Sequence, residues 1–106
     1  MKYFIGLDID SKNVQIAVID TDKKIYTNKK IKGIELINFV KNEIIGKFSP
    51  KETLVAMEST SSSYHLYPNF VFKKFGYTTK IVNPIYIKRY REYKTFRGKK
   101  QIKLMR

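Results

Sequence analysis

From Tyr3 to Ile9 nearly every residue is apolar, and a run this short reads as a buried central strand. Val14 to Asp20 alternates more clearly, in the manner of a half-buried strand. Asp20-Thr21-Asp22-Lys23-Lys24 is a polar turn, and Ile25 to Ile31 is a weaker strand returning from it. These three segments predict an antiparallel meander. The period then lengthens. Leu36, Ile37, Phe39, Val40, Ile44 and Ile45 recur at helical spacing, with Gly33 ahead of the helix and Gly46 near its end. Ser49-Pro50 breaks the chain, and Thr53 to Met57 is a second buried-strand run ending at Glu58. A hydroxyl in the stretch 59–63 is expected to cap the next helix by accepting from its open first-turn amides. That helix runs through Leu66, Phe70, Val71 and Phe75, with Gly76 at its C-terminal side. Thr78 to Val82 is a third buried strand, closed by Asn83-Pro84.

The predicted order is β-β-β-α-β-α-β followed by a basic helix, which places the chain in the α/β class. A meander of three strands followed by alternating helix and strand is the topology of the RNase H-like fold, a mixed sheet flanked by helices. Another three-layer α/β domain is the alternative. No internal repeat or linker interrupts the pattern.

Composition narrows the picture. A chain of 106 residues with 42% hydrophobic residues is one domain with enough apolar side chain for a core. The absence of cysteine excludes disulfides and thiolate metal sites. The apolar start, Met1 to Leu7, is too short for a signal-peptide core, and no later run approaches membrane-spanning length. A soluble, cytoplasmic protein without a membrane partner is the expectation.

Charge changes it more. Of the net +13, residues 1–77 hold 12 Lys/Arg against 8 Asp/Glu, whereas residues 78–106 hold 10 against the single Glu92. A basic segment this concentrated suits a phosphate backbone. An anionic membrane surface and a plain solvated tail are the competing accounts. Tyr86, Tyr90 and Tyr93 are spaced four and three apart, with Phe96 three further on, so a helix here carries one aromatic stripe. Lys88, Arg89, Arg91, Lys94 and Arg97 fill its other faces, and Lys99 and Lys100 extend the basic run. The stripe either docks on the domain, leaving the cations in water, or the cations contact phosphates while exposed tyrosines stack on unpaired bases.

Asp8 and Glu58 are the candidate chemical groups. Each closely follows buried apolar residues at or near a strand end, where functional groups of open α/β sheets gather. If strands one and four are neighbours, the two carboxylates converge. Converging carboxylates make a site for Mg²⁺, which prefers oxygen ligands, and paired ions of this kind support in-line phosphodiester cleavage. On spacing alone a strand that merely ends in an acid explains the same residues.

Gly6-Leu7-Asp8-Ile9-Asp10-Ser11-Lys12, then Val55-Ala56-Met57-Glu58-Ser59-Thr60, then Val82-Asn83-Pro84 before Lys88-Arg89-Tyr90 together resemble the N-terminal domain of DEDD-type insertion-sequence transposases. These enzymes are related to pilin invertases and have a fold like that of Holliday-junction resolvases. The resemblance covers roughly residues 3–98, with the motifs in the family's order. It implies metal-dependent DNA cleavage and strand transfer, with the family's first catalytic Asp on Asp8 and its Glu on Glu58. It also implies Mg²⁺ as cofactor, element DNA and a structured guide RNA as partners, and a homo-oligomer for the intact enzyme. Ser61 stands where many relatives have Gly, and Asp10 is read as a turn or strand-end residue.

The family's third and fourth acids belong to a Lys-Thr-Asp-x-x-Asp-Ala motif shortly after the basic helix. Here the chain reads Lys99-Lys100-Gln101-Ile102-Lys103-Leu104-Met105-Arg106. Encoded as AAA AAA CAG ATA AAA TTG ATG CGN, the same bases read from the third position of the first codon give Lys-Thr-Asp-Lys-Ile-Asp-Ala. Residues 1–98 are therefore expected to be the domain without its last catalytic helix, and 99–106 an out-of-frame tail. With two of four acids, the chain is expected to bind Mg²⁺ weakly or not at all and to be inactive alone.

His65 has no carboxylate or second imidazole nearby in sequence and reads as a helix-surface residue. The serines at 59 and 61–63 lack a nucleophile setting. Two other classes remain. One is a non-catalytic nucleic-acid-binding or interfering fragment. The other is an actin-like ATPase fragment, against which Asp10-Ser11-Lys12 puts an acid where a phosphate-holding turn wants glycine.

Overall fold

Alternating side chains build β1 (Tyr3–Ile9) and β2 (Asn13–Asp20) into an antiparallel pair, with Ile5 opposite Val18 and Leu7 opposite Ile16. The computed structural model describes residues 1–60 and 63–82. The β1–β2 turn is closed by Asp10, whose Oδ1 accepts from the amides of Lys12 (2.8 Å) and Asn13 (2.7 Å), an Asx arrangement that substitutes for a backbone turn. Asp20 does the same at the next turn, accepting from Asp22 and Lys24, while Lys23 takes the left-handed region at φ 66°. β3 (Ile25–Lys32) returns antiparallel to β2 with an irregularity at Val18/Ile19. Tyr26 there donates its hydroxyl to Asp20 Oδ2 at 2.8 Å and meets Tyr3 and Phe48 edge-on. The meander expected from the pattern is present.

The helical stretch that follows departs from a plain α-helix. Gly33–Glu35 is a 3₁₀ turn, α1 is only Leu36–Phe39, and Val40–Ile44 is π-helical. The buried residues are Leu36, Val40 and Ile44, spaced four apart each time. In an α-helix each step of four overshoots the preceding residue by about 40°. A wider turn takes that drift back, so all three stay on one face.

A 3₁₀ turn at Pro50–Glu52 leads into β4 (Thr53–Glu58), which lies parallel to β1 with Ile5 beside Val55 and Leu7 beside Met57. α2 (Leu66–Lys74) crosses back to β5 (Thr78–Val82), parallel to β4. The mixed sheet has the order β3-β2-β1-β4-β5. α2 ends in a Schellman arrangement. Gly76 sits at φ 91°, its amide reaches Lys73 O, the Tyr77 amide reaches Phe72 O, and the Phe72 and Tyr77 rings pack edge-to-face at 5.6 Å.

One core cluster fills the space between the sheet and the two helical segments, drawing on Ile5, Leu7, Val14, Ile16, Val18, Val55 and Met57 from the strands and Val71 and Phe72 from α2. Among the described residues the opposite sheet face buries none of its side chains. Several expectations change accordingly. β1 is central but one-sided, since Gly6 and Asp8 on its second face are exposed. β5 is an exposed edge strand rather than a buried one. α2 buries Pro68, Val71 and Phe72, which turns Leu66 and Phe70 outward at 58% and 61% exposure. The basic helix, with Tyr86, Tyr90, Tyr93 and Phe96, lies outside the described residues, as do Ser61, Ser62 and the tail 99–106.

Candidate active site

Parallel pairing of β1 and β4 decides where Asp8 and Glu58 go. Leu7 and Met57 are paired partners and both point into the core. Side chains alternate across a strand, so the next residues, Asp8 and Glu58, both emerge on the opposite, open face. They stand on neighbouring strands one step beyond that pair, with strand axes about 4.8 Å apart. Asp8 is exposed and Glu58 half-buried. The neighbours across the sheet are Gln15, opposite Asp8 on β2, and Val82, opposite Glu58 on β5.

Small residues open the surface beside Asp8. Gly6, Ala17 and Ala56 line a depression of about 280 Å³ together with Leu7, Asp8, Gln15 and Met57. A Cβ built on Gly6 would meet nothing within 4 Å. Gln15 is oriented by its own bond, Nε2 donating to Asn28 Oδ1 at 2.7 Å. Two carboxylates and a side-chain amide are oxygen donors of the type a hard divalent cation takes. By chemistry the set suits a hard divalent cation and would supply part of a coordination shell. Among the described residues no three His, Asp or Glu gather as a metal-binding group.

The other singled-out residues fall elsewhere. The Asp10 carboxyl is held below its ordinary value, first by the Lys12 amide and then by the Asn13 amide. That carboxylate already takes the turn amides a phosphate would need. His65 is a correction. It occupies the N-cap position of α2, half-buried, where its Nδ1 accepts from the Thr60 amide (3.0 Å) and its own amide donates to Thr60 Oγ1 (3.3 Å). His65 makes no side-chain cap bond to the first turn of α2, and among the described residues this reciprocal pair five residues apart ties the loop to the helix start. The sequence signal was present in Thr60 and His65, but two polar residues at that spacing have no unique partner in a serine-rich stretch. Lys88, Arg89, Arg91, Lys94, Arg97, Lys99 and Lys100 lie outside the described residues. The pattern also missed a groove of about 850 Å³ at the same end of the sheet, walled by the β1–β2 turn and the start of α2.

A family model for DEDD transposases of the IS110 type, described as "Transposase", matches residues 5–101. No curated protein matches the chain in sequence. Among solved structures, the chain is similar to the crystal structure of an exopolyphosphatase from Cytophaga hutchinsonii, with 9% identity and a TM-score of 0.48. That likeness covers 77% of this chain and 34% of the other, so the chain spans about a third of that protein's length.

Proposed function

The chain belongs to the family of IS110-type DEDD transposases, and on that premise we propose that it is the N-terminal, RNase H-like part of a metal-dependent DNA transposase. Asp8 and Glu58 are two of its four catalytic acids. The observation that supports this most is their placement on adjacent parallel strands, on one sheet face, one step past the Leu7–Met57 pair. The strand order β3-β2-β1-β4-β5, with an antiparallel half and a parallel half, supports the fold assignment.

In this reading Asp8 and Glu58 would hold Mg²⁺ through their carboxylate oxygens, and Gln15, opposite Asp8 on β2, would help orient a ligand or water. Bound divalent metal supplies activation of the attacking hydroxyl and stabilisation of the leaving oxygen in phosphodiester cleavage. Lys88, Arg89, Arg91, Lys94, Arg97, Lys99 and Lys100 contact the phosphates of element DNA or of a structured RNA from the same element. Asp8 and Glu58 are two of the four acids, so by themselves these 106 residues are expected to hold metal weakly and to leave DNA uncut. An actin-like ATPase role has less support, because Asp10 fills the turn amides that would cradle a phosphate.

The test is a pair of assays on the purified chain. Incubation with Mg²⁺ and element DNA is expected to leave the DNA uncut, and cleavage abolished by Asp8→Ala would overturn the assigned inactivity. Binding to duplex DNA is expected to weaken linearly in log Kd against log salt, the slope falling by about 0.9 for each phosphate contact removed. In Arg89→Ala/Arg91→Ala the drop is about 1.8. Binding indifferent to salt would contradict a phosphate-directed arm.

A further inference from the structure

The groove beside the β1–β2 turn is apolar and open at its rim. Its walls are Ile9 to Val14, Lys32 to Ile34, and Ser63 to Pro68 without His65. Four large side chains on this rim face water. Ile34 is 84% exposed, Leu66 58%, Tyr67 46% and Tyr64 43%. Single exposed apolar residues are ordinary, but several around one concavity mark a surface that something covers. Among the described residues its charged lining is Asp10, Lys12 and Lys32, which suits an apolar occupant better than a phosphate backbone.

The chain itself supplies such an occupant close by. β5 ends at Val82, whose carbonyl accepts from the Ser59 amide at 2.9 Å, fixing the exit beside the end of β4. β1, β4 and β5 are parallel, so this exit lies at the same end of the sheet as the groove. Two strand spacings separate β5 from β1, about 10 Å. At about 3.5 Å per extended residue, three residues cover that distance. The fourth residue after Val82 is Tyr86, the first of the aromatic stripe.

We propose that the stripe Tyr86–Tyr90–Tyr93–Phe96 of this chain seats intramolecularly in the groove between the β1–β2 turn and the start of α2. At 100° per helical residue Arg89 and Arg97 fall along the stripe itself, so seating it turns Lys88 and Arg91 outward with Lys94 at the flank, a positive edge at the sheet end that also carries Asp8 and Glu58. The docking does not depend on whether that edge binds nucleic acid.

The chain has no cysteine, so introduced pairs report cleanly. In the dilute full chain, Leu66→Cys with Tyr90→Cys is expected to form an intramolecular disulfide at least about tenfold faster than Ala56→Cys with Tyr90→Cys, whose first partner lies on the open sheet face. Equal rates, a faster control, or disulfides mainly between chains would each overturn the proposal, the last in favour of a second copy as occupant. Independently, Leu66→Glu leaves the core untouched and is expected to speed tryptic cleavage after Arg89 and Arg91 about tenfold, as the undocked population rises. An unchanged cleavage rate in a variant with native thermal unfolding would also overturn it.

Discussion

Asp20 and Tyr26 tie the β2–β3 hairpin together through one hydrogen bond, and their titration gives that bond a pH window. The bond to Asp20 is the main cause that lifts the Tyr26 hydroxyl from 10.0 to about 12. The same bond is the first cause holding the Asp20 carboxyl below its ordinary value. For Tyr26 the folded value is raised, so its stabilisation is complete below pH 10 and is lost as pH climbs through about 12. For Asp20 the folded value is lowered, so its contribution is present above 3.8 and fades as pH falls through the folded value. Tyr26→Phe is expected to lower Tm at neutral pH and to flatten both flanks of the stability profile, read by denaturation across pH. A difference titration of tyrosinate absorbance between the two proteins should show the missing step near 12. Burial raises Tyr77 to about 12 as well, so that step must be isolated by difference. Asp8 and Glu58 were legible as residues because each breaks a short apolar run at its end. The partnership of Thr60 with His65 was not, since it depends on how a polar loop folds back on itself.

Elements were legible where a periodicity was strong and blurred where packing chose between faces. Gly76 marked the end of α2 correctly, for a physical reason that a variant can measure. At φ 91° an alanine is strained, although its Cβ would sit an ordinary 3.7 Å from Pro50. Gly76→Ala is expected to cost about 1–2 kcal/mol, all of it from the backbone. The apolar residues of α2 did not tell which of them face inward. Phe72 is fully buried while Phe70 is 61% exposed. Phe72→Ala is accordingly expected to lose about 3–5 kcal/mol, and Phe70→Ala less than about 0.5 kcal/mol. Equal losses from urea denaturation would mean that α2 is rotated from the orientation described. The π turn was hidden because spacings of four at Leu36, Val40 and Ile44 also fit an ordinary helix within two turns.

Sheet topology joins these elements into something chemical. β1 and β4 are far apart in the chain, and only their parallel pairing brings Asp8 beside Glu58. The sequence could state that adjacency as a condition; burial of Leu7 and Met57 on one face meets it and sends both acids to the other. The charge imbalance was readable from composition, whereas the groove was not, because its walls come from three separate stretches of chain. Paramagnetic broadening by Mn²⁺ in a ¹H–¹⁵N spectrum of the chain reports whether Asp8 and Glu58 hold a divalent cation. Substoichiometric Mn²⁺ is expected to broaden the amides around Asp8 and Glu58 first, with the effect abolished in Asp8→Asn and in Glu58→Gln. Broadening that begins elsewhere, or that survives both substitutions, would contradict a metal site built on this pair.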